Sequence, residues 1–280
     1  MATESPGTYV PAAHYDRVHG AWRLIMGEEF HYGSFATPHT SLPEATAALT
    51  SRMREGAVVE PGDRVLDVGC GTGHQACELA QQLGAQVLGI TTSGRGVAAA
   101  TALAAEREVP GARFEPRDGT DNGLPDGTFD VGWVLESSHL MRDRRALLRE
   151  TLRVLRPGGR LVLCDIVRKR AIPFSEVRAR RGDFATLRAA FGDAHMEPLD
   201  QYADILRSLG AAVTTCEDLT AATLPTFAAW RGNVASHREE LDSLIGSVAV
   251  DQFVAACDIL EAFWMDGTLG YGLLAATKTG

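Results

Sequence analysis

The sequence predicts an α/β fold, a mainly parallel sheet covered by helices on both faces and capped by helical insertions. Three observations carry that prediction. Short apolar runs alternate with helix-like stretches from Arg64 to Asp165. Those runs are apolar almost throughout rather than at every second residue, as strands buried on both faces are. The first run leads into glycines at 69, 71 and 73 and then a helical stretch, the sharp strand-to-helix turn beside which such sheets bind ligands.

Residues 1 to about 55 read as helical segments broken by glycine and proline, with an aromatic cluster from Phe30 to Phe35. After the Pro61-Gly62 turn, Arg64–Val68 is the first strand and Gln75–Leu83 a helix. Gln86–Ile90 is the second strand, and an alanine-rich helix follows from about Gly96 to Glu106. Arg113–Arg117 reads as a third strand and Phe129–Leu135 as a fourth. From Arg144 to Leu155 the leucines at 147, 148, 152 and 155 share one side of a helix. Pro157-Gly158-Gly159 ends it, and Arg160–Asp165 is the fifth strand.

Beyond the fifth strand the pattern changes. Residues 169–209 are charged and helical in character, Ala211–Cys216 reads as a sixth strand, and a long helical stretch through 221–266 carries Phe227, Trp230, Phe253 and Phe263. Tyr271–Ala276 is the last strand. The two helical stretches read as insertions over the sheet. The expected organisation is an N-terminal helical segment or lid (1–55), a binding core (56–168), and the remaining strands with lid insertions (169–280).

Composition excludes several classes. With 45% hydrophobic and 22% charged residues, the 280-residue chain can bury its own core without staples. A net charge of −9 argues against a protein that holds nucleic acid through a general positive field. The five cysteines form no Cys-x-x-Cys pair, which points to free thiols in a reducing, cytoplasmic setting. No signal-peptide pattern opens the sequence, and no run reaches the roughly 18 apolar residues of a membrane span. Neither zinc spacing nor a carboxylate cluster for magnesium stands out, so a metal-independent reaction is expected. A homodimer is the default assembly.

Val65-Leu-Asp-Val-Gly-Cys-Gly-Thr-Gly73 is the most informative segment. A dinucleotide loop would run G-x-G-x-x-G, whereas this loop is G-x-G-x-G with Gln75 after His74. Asp67 within the strand suits a ligand bearing an ammonium group better than one bearing a pyrophosphate. A nicotinamide-dependent oxidoreductase is therefore the weaker alternative. The segment resembles the first motif of class I S-adenosylmethionine-dependent methyltransferases. Leu124-Pro125, Thr128-Phe-Asp-Val131 and Leu152–Leu161 resemble that family's approaches to its fourth and fifth strands. The resemblance implies a doubly wound, Rossmann-like sheet of seven strands with the last antiparallel, and S-adenosylmethionine as methyl donor. By it, Gly69, Gly71 and Gly73 pack on the donor's methionyl part with Asp67 behind them. Asp118 and Gly119 match the position that reads the adenine amino group, a task for a hydrogen-bond acceptor. Thr91 stands where the family usually has an acidic residue for the ribose, as in a subgroup with a Gly-Ile-Thr/Ser segment.

Methylation of a hydroxyl gains from a general base. Glu136 and His139 follow the fourth strand and Asp165 ends the fifth, which places all three at the ligand-binding edge. Histidine titrates near neutrality, and a carboxylate can orient its ring. Equally open on the residues alone, His139 is a helix-start residue and Asp165 an acceptor for loop amides. Glu-Ser-x-His-x-Met, Cys-Asp-Ile and Gly-Tyr-Gly-Leu-Leu are similar to the natural-product methyltransferases around the rebeccamycin sugar O-methyltransferase. That likeness implies His139 as base and Asp165 as its partner, with Glu136 at the donor. These relatives carry a second histidine where this chain has Leu140. Phe30-His-Tyr-Gly33 resembles a segment that folds over the donor, implying contacts from His31, Tyr32 and Tyr15. Phe174, Phe184 and Phe191 are candidates to line an acceptor lid, and the basic run from Arg168 to Arg181 is either a solvated face or an attractor of an anionic acceptor. The expected activity is methyl transfer to a small molecule, with O-methylation of a natural-product hydroxyl foremost and carbon or nitrogen acceptors the alternative.

Overall fold

The computed structural model describes residues 20–37 and 39–280. Its seven strands are β1 (Arg64–Val68), β2 (Gln86–Thr91), β3 (Ala112–Pro116), β4 (Phe129–Leu135), β5 (Leu155–Arg168), β6 (Ala211–Asp218) and β7 (Leu269–Lys278). They form one sheet in the order β3-β2-β1-β4-β5-β7-β6. β1 to β5 run parallel, and β7 lies antiparallel between β5 and β6. This is the doubly wound sheet that the sequence implied, including the reversed last strand. The order reverses between β1 and β4, which opens a crevice at their carboxyl ends.

Strand alternation divides the core. Leu66, Val68, Val134 and Leu163 face one side with Leu147, Leu148 and Tyr202. Val65, Trp133, Val162 and Cys164 face the other with Leu49, Met53 and Phe227. Both faces are dry, which is why these strands read as unbroken apolar runs.

The helices around the sheet begin where their sequences say they should. α1 (Leu42–Ala57) opens with a capping box between Ser41 and Glu44 and buries Leu42, Ala45, Leu49, Met53 and Ala57 along one stripe. α2 (His74–Leu83) follows Gly73 without a side-chain cap. α3 (Gly94–Glu106) is capped by Ser93, which accepts from the Gly96 amide at 2.9 Å. Asp143 caps α4 (Arg144–Val154) through the Ala146 amide.

Pro157-Gly158-Gly159 does more than end a helix. β5 already pairs at Leu155 with Phe129, bulges, and resumes pairing at Arg160 with Val131. Gly158 supplies the positive φ (+76°) that the bulge demands. The strand is thus longer than its apolar stretch, because hydrogen bonds and not hydrophobicity set its start.

The insertions form a helical cap from α5 (Phe174–Ala179), α6 (Arg181–Phe191), α7 (Leu199–Ser208), α8 (Thr220–Thr223), α9 (Thr226–Ser236), α10 (Arg238–Ile245) and α11 (Ser247–Met265). Aromatic contacts join it: Phe184 stacks on Phe263 at 5.6 Å, Phe191 meets Phe253 at 5.4 Å, and Trp22 from helical residues 20–26 reaches Phe191 at 6.4 Å. Phe174 points away, 81% exposed, and Phe184 serves packing against Phe263, so of the three candidate lid phenylalanines only Phe191 borders the cavity. Among the described residues no single helix is long and apolar enough to cross a membrane.

Candidate active site

Between the carboxyl ends of β1, β2 and β4 and the cap lies a cavity of about 830 Å³. That size sits toward the upper end of ligand pockets. The sheet edge contributes Asp67, Thr91 and Glu136, the cap contributes Leu187, Phe191, Trp230 and Leu260, and Trp22 joins them from helical residues 20–26. One end is therefore polar and the other apolar.

The glycine loop forms the polar floor. All three glycines have positive φ, at +84°, +54° and +81° for Gly69, Gly71 and Gly73, a region costly for any residue with a Cβ. Their surroundings differ. A Cβ on Gly69 would lie 2.2 Å from that of Ser137, and one on Gly73 would lie 2.6 Å from Phe114 Cζ. Gly71 faces open space. Gly69 and Gly71 border the cavity, but Gly73 does not: its place beneath Phe114 makes it a packing glycine at the root of α2. Gly89 has the same cause, since its Cβ would meet Phe114 at 2.6 Å.

Asp67 is 3% exposed, and its Oδ2 has no hydrogen-bond partner. Burial pushes its carboxyl up to about 7. An unpaired buried carboxylate oxygen at a cavity wall awaits a donor group, as an ammonium-bearing ligand would supply. Thr91 lines the cavity at the end of β2, where its hydroxyl accepts from the Ser93 amide. Asp118 caps its own turn through the Thr120 amide and hydroxyl, at 2.8 and 2.7 Å, and borders the cavity with Gly119. A floor of positive-φ glycine, an orphaned carboxylate oxygen and a second carboxylate on the far side fit an adenosyl amino acid.

His139 and Asp165 do meet. The imidazole Nδ1 lies 2.6 Å from Asp165 Oδ1. Asp165, 0% exposed, also accepts from the Ser138 hydroxyl (2.5 Å), the His139 amide (3.0 Å) and the Ile166 amide (2.7 Å). Burial opposes its ionisation, but the His139 charge and these donors outweigh burial and lower its pKa. An ionised Asp165 accepts only, so Nδ1 carries a proton. Burial likewise opposes the charged imidazole, and the Asp165 charge and hydrogen bond overcome it, raising the His139 pKa above 6.5. His139 borders the cavity while Asp165 lies behind it. The two sequence readings of Asp165 are not exclusive, since it accepts from loop amides and faces the ring at once.

Glu136 holds a strained backbone, φ +46°. Its Oε1 accepts from the Tyr32 amide at 2.8 Å and the Tyr271 hydroxyl at 2.5 Å. Burial pushes its pKa up to about 7. Glu136 therefore ties segment 30–33 to β7. The Tyr32 ring packs inward, parallel to Trp264 at 5.5 Å and beside Phe227 and Tyr271. His31 gives Nδ1 to the Tyr32 carbonyl and Nε2 to Glu29 Oε2, both at 2.7 Å. With acceptors on both nitrogens the ring is an imidazolium, consistent with its raised pKa, where Glu29 outweighs burial. Tyr15 lies outside the described residues.

Several participants escaped the sequence reading. Glu29, Thr50 and Gln75 converge on His31 from separate elements. Tyr202 of α7 bonds Ser138 at 2.9 Å. Glu29 stands only two residues before His31, but Thr50, Gln75 and Tyr202 carry no local signal, because their contacts reach across 19 to 64 residues. Glu29, His74 and Glu78 also bring one ligand atom each within 4.8 Å of one another. The basic run from Arg168 is largely neutralised: Arg168 pairs with Glu197, Lys169 with Asp218, Arg170 with Glu176, and Arg180 with Asp183. These pairs favour the solvated-face reading of the run.

A model of a methyltransferase domain matches residues 66–163. The chain is 33% identical to 27-O-demethylrifamycin SV methyltransferase of Amycolatopsis mediterranei (strain S699), over 94% of this chain and 95% of that protein. It resembles the crystal structure of the (4+2)-cyclase SpnF at TM-score 0.81 and 29% identity, covering 96% and 95% of the two chains. The mycolic acid cyclopropane synthase CmaA1, solved with S-adenosylhomocysteine, shares the fold at TM-score 0.84 and 18% identity, over 96% and 97%.

Proposed function

Because the chain belongs to the class I S-adenosylmethionine-dependent methyltransferases, we propose that it methylates a hydroxyl group on an apolar natural product, with His139 as general base. The observation that carries this reading is the 2.6 Å His139–Asp165 contact at the cavity edge. S-adenosylmethionine, when bound, supplies a methyl group on a positively charged sulfur. The residues around it do the rest. Asp67, Gly69 and Gly71 would hold the methionyl end, Thr91 the ribose, and Asp118 with Gly119 the adenine. His31, Tyr32 and Glu136 form the latch that keeps segment 30–33 over the site.

His139 Nε2, the nitrogen left without a hydrogen bond among the described residues, would take the proton of the acceptor's hydroxyl, leaving its oxygen free to receive the methyl group that the donor gives up from sulfur. Asp165 stabilises the resulting imidazolium and holds the ring's tautomer. The cap excludes water and aligns the acceptor, which supplies much of the rate in such a transfer. Its lining by Leu187, Phe191, Trp230 and Leu260 selects an apolar scaffold. The rifamycin relative supports an oxygen acceptor, as its name places the methyl on oxygen.

Labelled donor incubated with apolar polyketide or terpenoid alcohols tests the reading. The expected product is heavier than its acceptor by one methylene and carries the label on oxygen. His139→Ala should lower turnover roughly 10²-fold or more while leaving donor binding in place. Unchanged turnover would remove the base, and a product isomeric with its substrate would assign the site to cyclisation, as in SpnF.

A further inference from the structure

Only two buried side-chain oxygens among the described residues lack a hydrogen-bond partner, Asp67 Oδ2 and Gln75 Oε1. Both residues line the cavity, on either side of the glycine loop. The Gln75 orientation has a definite cause. Its Nε2 lies 2.6 Å from Glu29 Oε2 and 3.1 Å from Thr50 Oγ1. Burial alone would favour a protonated Glu29, but His31 and Thr50 donate to it and bring its pKa to about 2. An ionised carboxylate accepts and cannot donate. The amide nitrogen must therefore face Glu29, since a flip would set oxygen against oxygen at 2.6 Å. The carbonyl oxygen is left without a protein donor in the wall of the cavity, a costly arrangement unless a ligand completes it.

We infer that Gln75 is an ammonium-binding residue of the donor site, its carbonyl oxygen and Asp67 Oδ2 receiving the N–H groups of the donor's α-ammonium, with Glu29 acting as the positioning residue that sets the amide. Of the donor's hydrogen-bonding groups, the methionyl ammonium belongs at the glycine loop, where Gln75 stands two residues past Gly73. The ribose and adenine face Thr91 and Asp118. The ammonium offers three N–H bonds to acceptors, which both orphaned oxygens need. The negative charge of Glu29 behind the amide polarises the carbonyl toward a cation. The inference rests on the donor site proposed above.

Calorimetry with two adenosyl thioethers separates the possibilities. S-adenosylhomocysteine carries the amino-acid end, and 5′-methylthioadenosine lacks it. Gln75→Met keeps the length and removes the acceptor. It should weaken S-adenosylhomocysteine roughly tenfold and leave methylthioadenosine unchanged, the latter also showing that the site is still folded. Decarboxylated S-adenosylhomocysteine, which retains the amine, should lose as much. Equal loss for all three ligands would mark Gln75 as merely structural, and loss for none would also overturn the inference. Retained affinity for the decarboxylated ligand alone would move Gln75 from the ammonium to the carboxylate and overturn it too. A wild-type chain that binds none of the three would bring down the donor site itself.

Discussion

At the scale of single residues, the site depends on how His139 shares its proton. Asp165 is surrounded by four donors and cannot rotate to leave the ring. The base must be neutral to accept a proton, and its pKa lies above 6.5. Turnover should therefore fall as pH drops through that raised value, with a midpoint above that of an unperturbed histidine. Asp165→Asn removes the charge that raises it and should shift the midpoint downward while lowering kcat by roughly 10² or more. Ser138→Ala removes one of the donors that share Asp165; the carboxylate stays ionised and holds the imidazolium more strongly, so the midpoint should move by a smaller amount and upward. A pH–rate series on the two variants checks both, and an unmoved midpoint in Asp165→Asn would dissolve the coupling.

At the scale of elements, three glycines in one loop do separate jobs. Gly73 roots α2 beneath Phe114, and Gly71 opens on the cavity. Gly73→Ala adds overpacking to backbone strain and should cost about 2–4 kcal/mol, lowering Tm by several degrees. Gly71→Ala meets no protein atom within 4 Å and should cost about 1 kcal/mol, while cutting S-adenosylhomocysteine affinity sharply because the new methyl enters the ligand's space. Thermal unfolding and calorimetry on the pair measure the split. Equal effects would mean the loop acts as one unit. The arginines around α4 also divide their work. They are ties and not a solvated face: Arg144 donates to the Met141 and His195 carbonyls and lies over Tyr202, Arg153 grips Glu150 and Asp126, and Arg160 grips Asp63.

At the scale of the whole molecule, the ligand-free site stores protons. Asp67 and Glu136 both have pKa values near 7, and those of His31 and His139 are raised. Each therefore binds more protons folded than unfolded once the pH passes its ordinary value, the carboxylate range for Asp67 and Glu136 and about 6.5 for the two histidines. Stability falls with rising pH wherever the folded state holds the excess, so it should decline from pH 5 to pH 8 as these groups lose their protons. Glu29, lowered to about 2, is already ionised in both states across that range and adds no slope. A tenfold difference in proton affinity between the folded and unfolded chain corresponds to about 1.4 kcal/mol, enough to lower Tm by several degrees. Scanning calorimetry without donor at both pH values checks the direction. Saturating S-adenosylhomocysteine should flatten the slope by giving Asp67 an ammonium partner, and a ligand-free Tm that rises with pH would refute the burial of these carboxylates.

Much of this was legible in the residues. The strands β1, β2 and β4, the glycine loop and the positions of His139 and Asp165 all follow from local pattern, because strand periodicity and tight turns are dictated by neighbours in the chain. The family resemblance extended that reading to the strand order and the donor. What local pattern could not show were contacts whose energy depends on distant partners. Glu29, Thr50 and Gln75 become a proton-ordering network only when α1 and α2 pack beside segment 29–32. Tyr202 reaches Ser138 from an insertion 64 residues away. Gly73 turned out to serve packing because Phe114 lies over it, a neighbour that no spacing in the loop announces. The order of residues along the chain dictates the sheet and the chemical groups at its edge. Which nitrogen carries a proton, and which oxygen is left wanting one, is settled by the folded arrangement, because burial and partner geometry, not residue type, set the direction of a hydrogen bond.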